Sequence, residues 1–385
     1  MIYWDHNATS PLRPRVKEKM VEALELYHAN PNSSHGLGQK ARSVIEDSRR
    51  VLAEALGCEP IELVFTSTAT EANWLALWGL WLARSQTNPR LKKILSSPIE
   101  HGSVFENLQF LAEKWGAEIV YTPLRKEEID LEAVEKILKK DSESFAFATV
   151  MGGHNESGII PPWKEMAQLS QHFGIPFHSD LVQCFAKVPI DLKTSGVSTA
   201  TIAFHKIGGP KGVGVLYIRK GTLCESIIRG GGQEKKRRAG TENLITIVGA
   251  KAAAEEKLSL EGIFGTRVEN IRNEFESRLL RTVLPSATVV GKNVARLPNT
   301  SYIIFPLGMR SDAMLLHLDM RGVCVSSGSA CSSGMVIPSR ALLQLGYSEE
   351  QAISAIRFSL GPENTEEEMK FVLEQIDAAA KKMVA

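Results

Sequence analysis

Along residues 60–220, short runs rich in β-branched and aromatic residues alternate with longer segments whose apolar positions recur every three or four residues. The first kind predicts strands at 63–66, 93–96, 118–122, 145–151, 175–178, 199–204 and 214–218. The second predicts helices at 71–84, 102–115, 131–140 and 163–173. Such alternation is the mark of βαβ crossovers, so a mostly parallel sheet covered by helices is expected. The strongly apolar run from Trp74 to Ala83 is far short of the roughly 20 residues that span a bilayer, and is expected as a buried helix.

The pattern breaks at Gly230–Gly232 and the basic run Lys235–Arg238. A helix-prone stretch at 242–258 and a flexible-looking 261–265 follow, which puts a boundary near residue 260. Beyond it the sequence predicts a smaller α/β unit. Its helices are expected at 266–281 and 311–320, and its strands at 288–290, 299–305, 323–326 and 355–360. A last helix at 365–382 has Asn364 as its expected N-cap and acids in its first turn. No repeat period or low-complexity segment is visible.

Composition narrows the function classes. The 385 residues are 43% hydrophobic and 23% charged, which suits two or three globular units of about 100–200 residues and excludes a disordered or fibrous chain. Forty-five Lys and Arg stand against 44 Asp and Glu, a formal charge of +1. No global field draws the chain to nucleic acid or an acidic membrane, so neither is an expected partner. The start MIYWDHNATSP lacks a basic region followed by an apolar run, and a cytoplasmic location is expected. Five cysteines without a CxxC pair argue against a disulfide framework and a zinc site, and leave room for a working thiol.

Ligands of open α/β sheets bind beyond the carboxyl ends of the strands. Thr66-Ser67-Thr68-Ala69-Thr70-Glu71 follows a strand and opens a helix, where free N–H groups and the helix dipole suit a phosphate; an ordinary N-cap is the plainer alternative. Asp180 and the pair His205-Lys206 follow neighbouring strands. An amine, an acid and a phosphate cradle are the needs of pyridoxal 5'-phosphate: a Schiff base, a partner for the protonated ring nitrogen, and an anion site. Lys211 is a rival amine inside the loop Gly208–Gly212. His101 could stack on a flat cofactor or relay protons, or simply be a satisfied histidine near a helix start. The four cations at 235–238 lack interleaved aromatics and are expected as a solvated loop. Cys331 lies in Ser326-Ser327-Gly328-Ser329-Ala330-Cys331-Ser332-Ser333-Gly334, a run of small residues fit to deliver a nucleophile. Cys184 and Cys324 adjoin apolar residues and are expected to be inert.

Over nearly its whole length the chain resembles the pyridoxal-phosphate cysteine desulfurases of the NifS/IscS type, a branch of the class V aminotransferases. The resemblance rests on ordered motifs: Tyr3 to Thr9, Asn30 to His35, Phe65 to Asn73, Glu100-His101, His154 to Gly158, Asp180 to Gln183, His205-Lys206, Gly209 to Gly212, Gly230 to Glu234, Arg238 to Asn243, Ser326 to Cys331 and Ile356 to Ser359. It implies the fold type I of pyridoxal-phosphate enzymes. The expected organisation is a large cofactor-binding domain over 16–260, with a small domain made of 1–15 and 261–385 that carries the cysteine loop.

The resemblance also implies roles. Lys206 would form the Schiff base, Asp180 would pair with the ring nitrogen, Gln183 would bond the phenolic oxygen and His101 would stack on the ring. Ala69, Thr70 and His205 would hold the phosphate, with Thr241 donated by the second subunit of a homodimer whose active site is shared. Asn155 would sit beside the substrate, and Arg357 would take the carboxylate of L-cysteine. The freed Lys206 amine would move the α-proton, and Cys331 would attack the substrate sulfur, yielding alanine and a Cys331 persulfide for a sulfur acceptor or scaffold protein. Iron–sulfur cluster assembly and tRNA thiolation are both open as destinations, as is a transient iron–sulfur ligand role for Cys331; no resident metal is expected.

Three departures from the family pattern stand out: Thr68 where a glycine is usual, Ala203 where a phosphate-binding serine is usual, and no extended tail of the kind some relatives use to dock a scaffold. The missing serine hydroxyl corresponds to about 0.5–1.5 kcal/mol. The alternatives are a pyridoxal-phosphate C–S β-lyase or selenocysteine lyase, which elimination alone would serve without a thiol, and a non-catalytic sulfur-trafficking paralogue.

Overall fold

The computed structural model describes residues 1–328 and 337–384. Its central sheet has seven strands in the order Leu63–Thr66, Gly214–Ile218, Thr199–Ala203, Phe177–Asp180, Phe145–Thr149, Lys93–Ser96 and Glu118–Tyr121. Gly214–Ile218 runs antiparallel to both neighbours, and the other pairings are parallel. The register sets Gly214 opposite both Thr66 and Ala203. The carboxyl ends at Thr66, Ser96, Thr149, Asp180 and Ala203 therefore share one edge. The inner strands are buried on both faces, as helix-covered parallel strands must be.

Three expected elements shift, each for a local reason. The strand expected at 175–178 is Phe177–Asp180; Pro176 has no N–H to give the ladder, so pairing starts after it, and Asp180 becomes the last strand residue. The stretch expected to flex at 261–265 is helical, as Lys257–Ile263 continues through Phe264–Val268 into Glu269–Arg278. Leu260, Phe264, Val268, Ile271, Phe275 and Leu279 form one buried stripe at helical spacing, and its burial outweighs the roughly 1 kcal/mol cost of each of Gly262 and Gly265. In the last helix the cap is Thr365, not Asn364. Thr365 Oγ1 accepts from Glu368 N at 3.3 Å and Glu368 Oε2 accepts from Thr365 N at 3.2 Å, the reciprocal pair of a capping box. Asn364 instead accepts from Gly361 N.

The apolar helix Ala69–Ser85 is buried nearly all round, and among the described residues no helix is long and apolar enough to cross a membrane. A second sheet joins Thr288–Val289, Thr300–Ile304 and Ala355–Ser359 in antiparallel pairing, while Ile2–Tyr3 pairs in parallel with Val323–Cys324. Trp4, fully buried, meets Phe275 and Phe358 edge to face at 5.3 and 6.3 Å. This anchor carries the next residues, Asp5 to Thr9, to the edge where the large sheet ends.

Candidate active site

At that edge opens a cleft of about 650 Å³, whose wall includes Ala69, Thr70, His101, Asn155, Asp180, Gln183, His205, Lys206 and Arg357. These nine expected residues come from six different segments of the chain and meet in one place. Thr241 is exposed and is not part of this wall. Cys331 lies outside the described residues. Lys211 also reaches the cleft but is exposed, whereas Lys206 is half-buried.

Asp180 is held by neutral donors. Its Oδ2 accepts from Asn73 Nδ2 at 2.8 Å and its Oδ1 from Val182 N at 3.0 Å. Asn73 Oδ1 in turn accepts from His178 Nε2 at 3.0 Å, and Thr199 Oγ1 lies 2.9 Å from His178 Nδ1. Burial lowers the His178 pKa to about 4, against the opposing charge of Asp180. His178 is thus a neutral group that orients Asn73 behind the carboxylate. Asn73 also donates to Ser103 Oγ at 2.8 Å, and Ser103 lies 2.7 Å from His101 Nδ1. Ser103 N donates to that same Nδ1 at 3.1 Å, so the neutral His101 ring carries its proton on Nε2.

Lys206 Nζ donates to the carbonyls of Asn7 and Ala8, both at 2.7 Å. Burial first, then the charge of Arg357, lowers its pKa to about 8, which raises the neutral, nucleophilic fraction to about a tenth at pH 7. His205 Nδ1 lies 3.2 Å from Thr9 Oγ1, and burial followed by the charge of Lys206 lowers its pKa to about 4.

The end of the cleft expected to take a phosphate is formed by the N-terminus of helix Ala69–Ser85. Thr68 is its N-cap, with Oγ1 accepting from Glu71 N at 3.0 Å, so capping and cleft-lining coexist in this segment. Gly214 makes the turn possible: a Cβ there would lie 2.6 Å from the Thr68 carbonyl carbon. Ala203 is buried in its strand and is not in the cleft wall. The basic run corrects one expectation, because half of it is not solvated. Arg238 pairs with Glu71 at 2.7 Å and donates to Ser67 Oγ at 2.7 Å, and Arg237 donates to Leu63 O at 3.0 Å. Glu234, just before the run, is buried against Arg49 at 2.7 Å. The loop therefore braces this end from behind.

At the opposite end Arg357 donates to Asp5 Oδ1 at 2.6 Å and to Asn155 O at 3.0 Å. Its backbone exchanges hydrogen bonds with Ser326, at 2.7 and 3.3 Å, and Ser339 Oγ donates to Glu156 Oε2 at 2.5 Å. Arg340 reaches the carbonyls of Pro98 and Glu100 and stacks on the Phe105 ring at 4.0 Å. The chain on both sides of the Cys331 segment is thus fastened to cleft-bearing residues. Burial, then the charge of Asp180, raises Glu100 to about 8. Burial pushes the Cys184 thiol up to about 12, and Cys324 is half-buried beside Tyr3. Asn7, Asn73, Ser103 and Lys187 are the polar residues that sequence reasoning gave no role. Asn7 and Asn73 stood inside recognisable motifs; Lys187 carried no signal.

The family model for aminotransferase class V matches residues 2–372. Cysteine desulfurase IscS of Dictyoglomus turgidum is 37% identical over 383 residues, which cover 99% of this chain and 95% of that protein. Cysteine desulfurase NifS of Azotobacter vinelandii is 36% identical over 377 residues, covering 97% and 91%. Among solved structures, a NifS-like protein superposes with a TM-score of 0.89 at 33% identity, with 99% of each chain covered. A structure of SspA in complex with cysteine has a TM-score of 0.80 at 30% identity, covering 95% of this chain and all of that one.

Proposed function

The chain belongs to the class V aminotransferase family, and we propose that it is a cysteine desulfurase that uses pyridoxal 5'-phosphate to move sulfur from L-cysteine onto Cys331. The observation that carries the reading is the convergence on one cleft of a hydrogen-bonded carboxylate, a lysine with a lowered pKa and a buried guanidinium.

The residues fit the cofactor. Asp180, fixed by neutral partners, suits a protonated ring nitrogen; the N-terminus at Ala69 and Thr70 with neutral His205 suits a phosphate; and Lys206 supplies the amine. When bound, the cofactor supplies an electron sink at the substrate α-carbon. Lys206 would then hold and return the α-proton through Nζ. Arg357 would orient the substrate carboxylate with a planar fork, and Asn155, whose carbonyl already grips that guanidinium, would bound the substrate side. His101, its proton on Nε2, would lie against the ring. Cys331 would bond to the substrate sulfur as the carbon–sulfur bond breaks, and the released three-carbon unit would leave as alanine.

Thr241 is exposed on the braced loop, as a residue serving a second copy of the chain would be; the reading therefore includes a homodimer with shared sites. A protein acceptor would take the persulfide sulfur toward iron–sulfur cluster assembly or tRNA thiolation. The test is to load the protein with pyridoxal 5'-phosphate, add L-cysteine and a reductant, and quantify alanine in the wild type and in Cys331→Ala. Alanine that is lost in the variant is expected. No alanine, or pyruvate in its place, would overturn the reading in favour of a lyase or a non-catalytic paralogue.

A further inference from the structure

Lys187 is one of the largest fully buried side chains, 2% exposed, and among the described residues no carboxylate bonds it. Its Nζ donates to Asn7 Oδ1 and to Gln183 Oε1, each at 2.9 Å. A buried ammonium without a counter-ion is costly, and burial, reinforced by the charge of Lys206, lowers its pKa to about 7. A neutral amine has two N–H groups, and two acceptors are present. The backbone adapts to this placement: Ala186, fully buried and immediately before it, has φ of +58°, a left-handed conformation that alanine rarely adopts.

The bonds around Lys187 have only one consistent orientation. Asn155 O can only accept, so it fixes Asn7 Nδ2, which donates to it at 3.1 Å and to Thr300 Oγ1 at 2.8 Å. Asn7 Oδ1 then faces Lys187 and also accepts from Asn299 at 3.0 Å. Asn7 O likewise can only accept, so Gln183 must turn Nε2 toward it and Oε1 toward Lys187. Gln183 Nε2 spends one N–H on Asn7 O at 3.0 Å, and Gln183 lines the cleft, which leaves its second N–H for what the cleft binds.

We propose that Lys187 is a positioning residue that locks the Gln183 amide with its N–H toward the cleft, so that Gln183 presents a donor to the phenolic oxygen of the bound cofactor. This rests on the functional reading above. Without Lys187 the amide keeps only its bond to Asn7 O, and its second N–H is no longer held on line toward the phenolic oxygen.

The cofactor-loaded protein tests this through the pH midpoint of its visible absorbance. A donor stabilises the anionic oxygen, so losing it makes the bound cofactor keep its proton to higher pH. Lys187→Met and Gln183→Ala should each raise the midpoint by roughly half to one pH unit, the loss of one hydrogen bond. Removing a charge would also move it, since Lys206, Arg357 and Cys184 face Lys187 and its field reaches His6 and His205. The double variant separates the two: if Lys187 acts through Gln183, it shifts no further than Gln183→Ala. Additive shifts, or an unmoved midpoint in either single variant, would overturn the proposal. Should Lys187→Met not fold, Lys187→Gln, which keeps a neutral donor, is expected to hold the wild-type midpoint; a midpoint raised as far as in Gln183→Ala overturns the proposal. A protein that takes up no pyridoxal phosphate fails earlier, and overturns the functional reading together with this one.

Discussion

Arg357 and Asp5, 352 positions apart, close on each other at 2.6 Å, so the guanidinium best placed to receive a carboxylate already holds one. Asp5 takes one N–H of Nη2 and Asn155 O takes one of Nη1, while Nε is buried without a protein partner among the described residues. The side chain is thus fixed in plane by two bonds and keeps donors in reserve, which is how a fork is pre-organised for a second carboxylate. Arg357→Lys replaces the fork by a point charge. The expected outcome is a KM for L-cysteine raised about 10- to 100-fold with a smaller change in kcat, since a ground-state anchor is lost. Steady-state alanine formation over a range of cysteine concentrations measures this. An unchanged KM would assign the carboxylate to another residue.

Lys206 gives a pH prediction with a definite sign. Its pKa falls from 10.5 to about 8, through burial and then through Arg357. The neutral amine is the form that captures a carbonyl, so the rate at which apo-protein takes up pyridoxal phosphate should rise about tenfold per pH unit below 8 and flatten above it. An unperturbed lysine would still be accelerating at that point. Arg357→Met removes the second cause and should carry the bend upward. Mixing apo-protein with the cofactor at a series of pH values and following visible absorbance gives both curves. A bend in neither curve would show that the Lys206 amine does not limit capture.

These two residues also mark how far the sequence reaches. Lys206 and Asp180 are readable through their joint placement just past neighbouring strands, where an amine and an acid together fit one cofactor. Arg357 is readable only by resemblance, since nothing local distinguishes it within the strand Ala355–Ser359. Lys187, and the role of Asn73 within its motif, are illegible for a physical reason: their bonds run to residues 180 and 107 positions away, which no spacing rule encodes. The helix across 257–283 is the reverse case. Its apolar stripe is present in the sequence, but Gly262 and Gly265 argue locally for a break, and only the burial of Phe264 decides the contest. Likewise Lys235 to Arg238 read as four like charges, and it takes the placement of Glu71 and Leu63 to turn two of them inward.

Gly328 stands three positions before Cys331, where any side chain meets a wall. A Cβ there would lie 2.0 Å from Tyr302 Oη and 2.5 Å from Glu156 Oε2. Neither can yield cheaply: Tyr302 is 1% exposed in the strand Thr300–Ile304, and Glu156 is held by Ser339 at 2.5 Å. In Gly328→Ala the backbone at 328 must therefore move off the wall, and under the proposed function this alters delivery of the Cys331 thiol. Asp180, Lys206 and Ala69, the residues proposed to hold the cofactor, are not among the neighbours of the added Cβ. Gly328→Ala is accordingly expected to keep the visible absorbance and the cofactor content of the wild type while losing at least about tenfold in kcat for alanine formation, the scale on which small misplacements of a reacting group act. Alanine formation at the wild-type rate would show that the backbone at 328 can relax without disturbing delivery of the thiol, and loss of cofactor together with activity would show that the wall at Tyr302 and Glu156 supports the cleft as a whole.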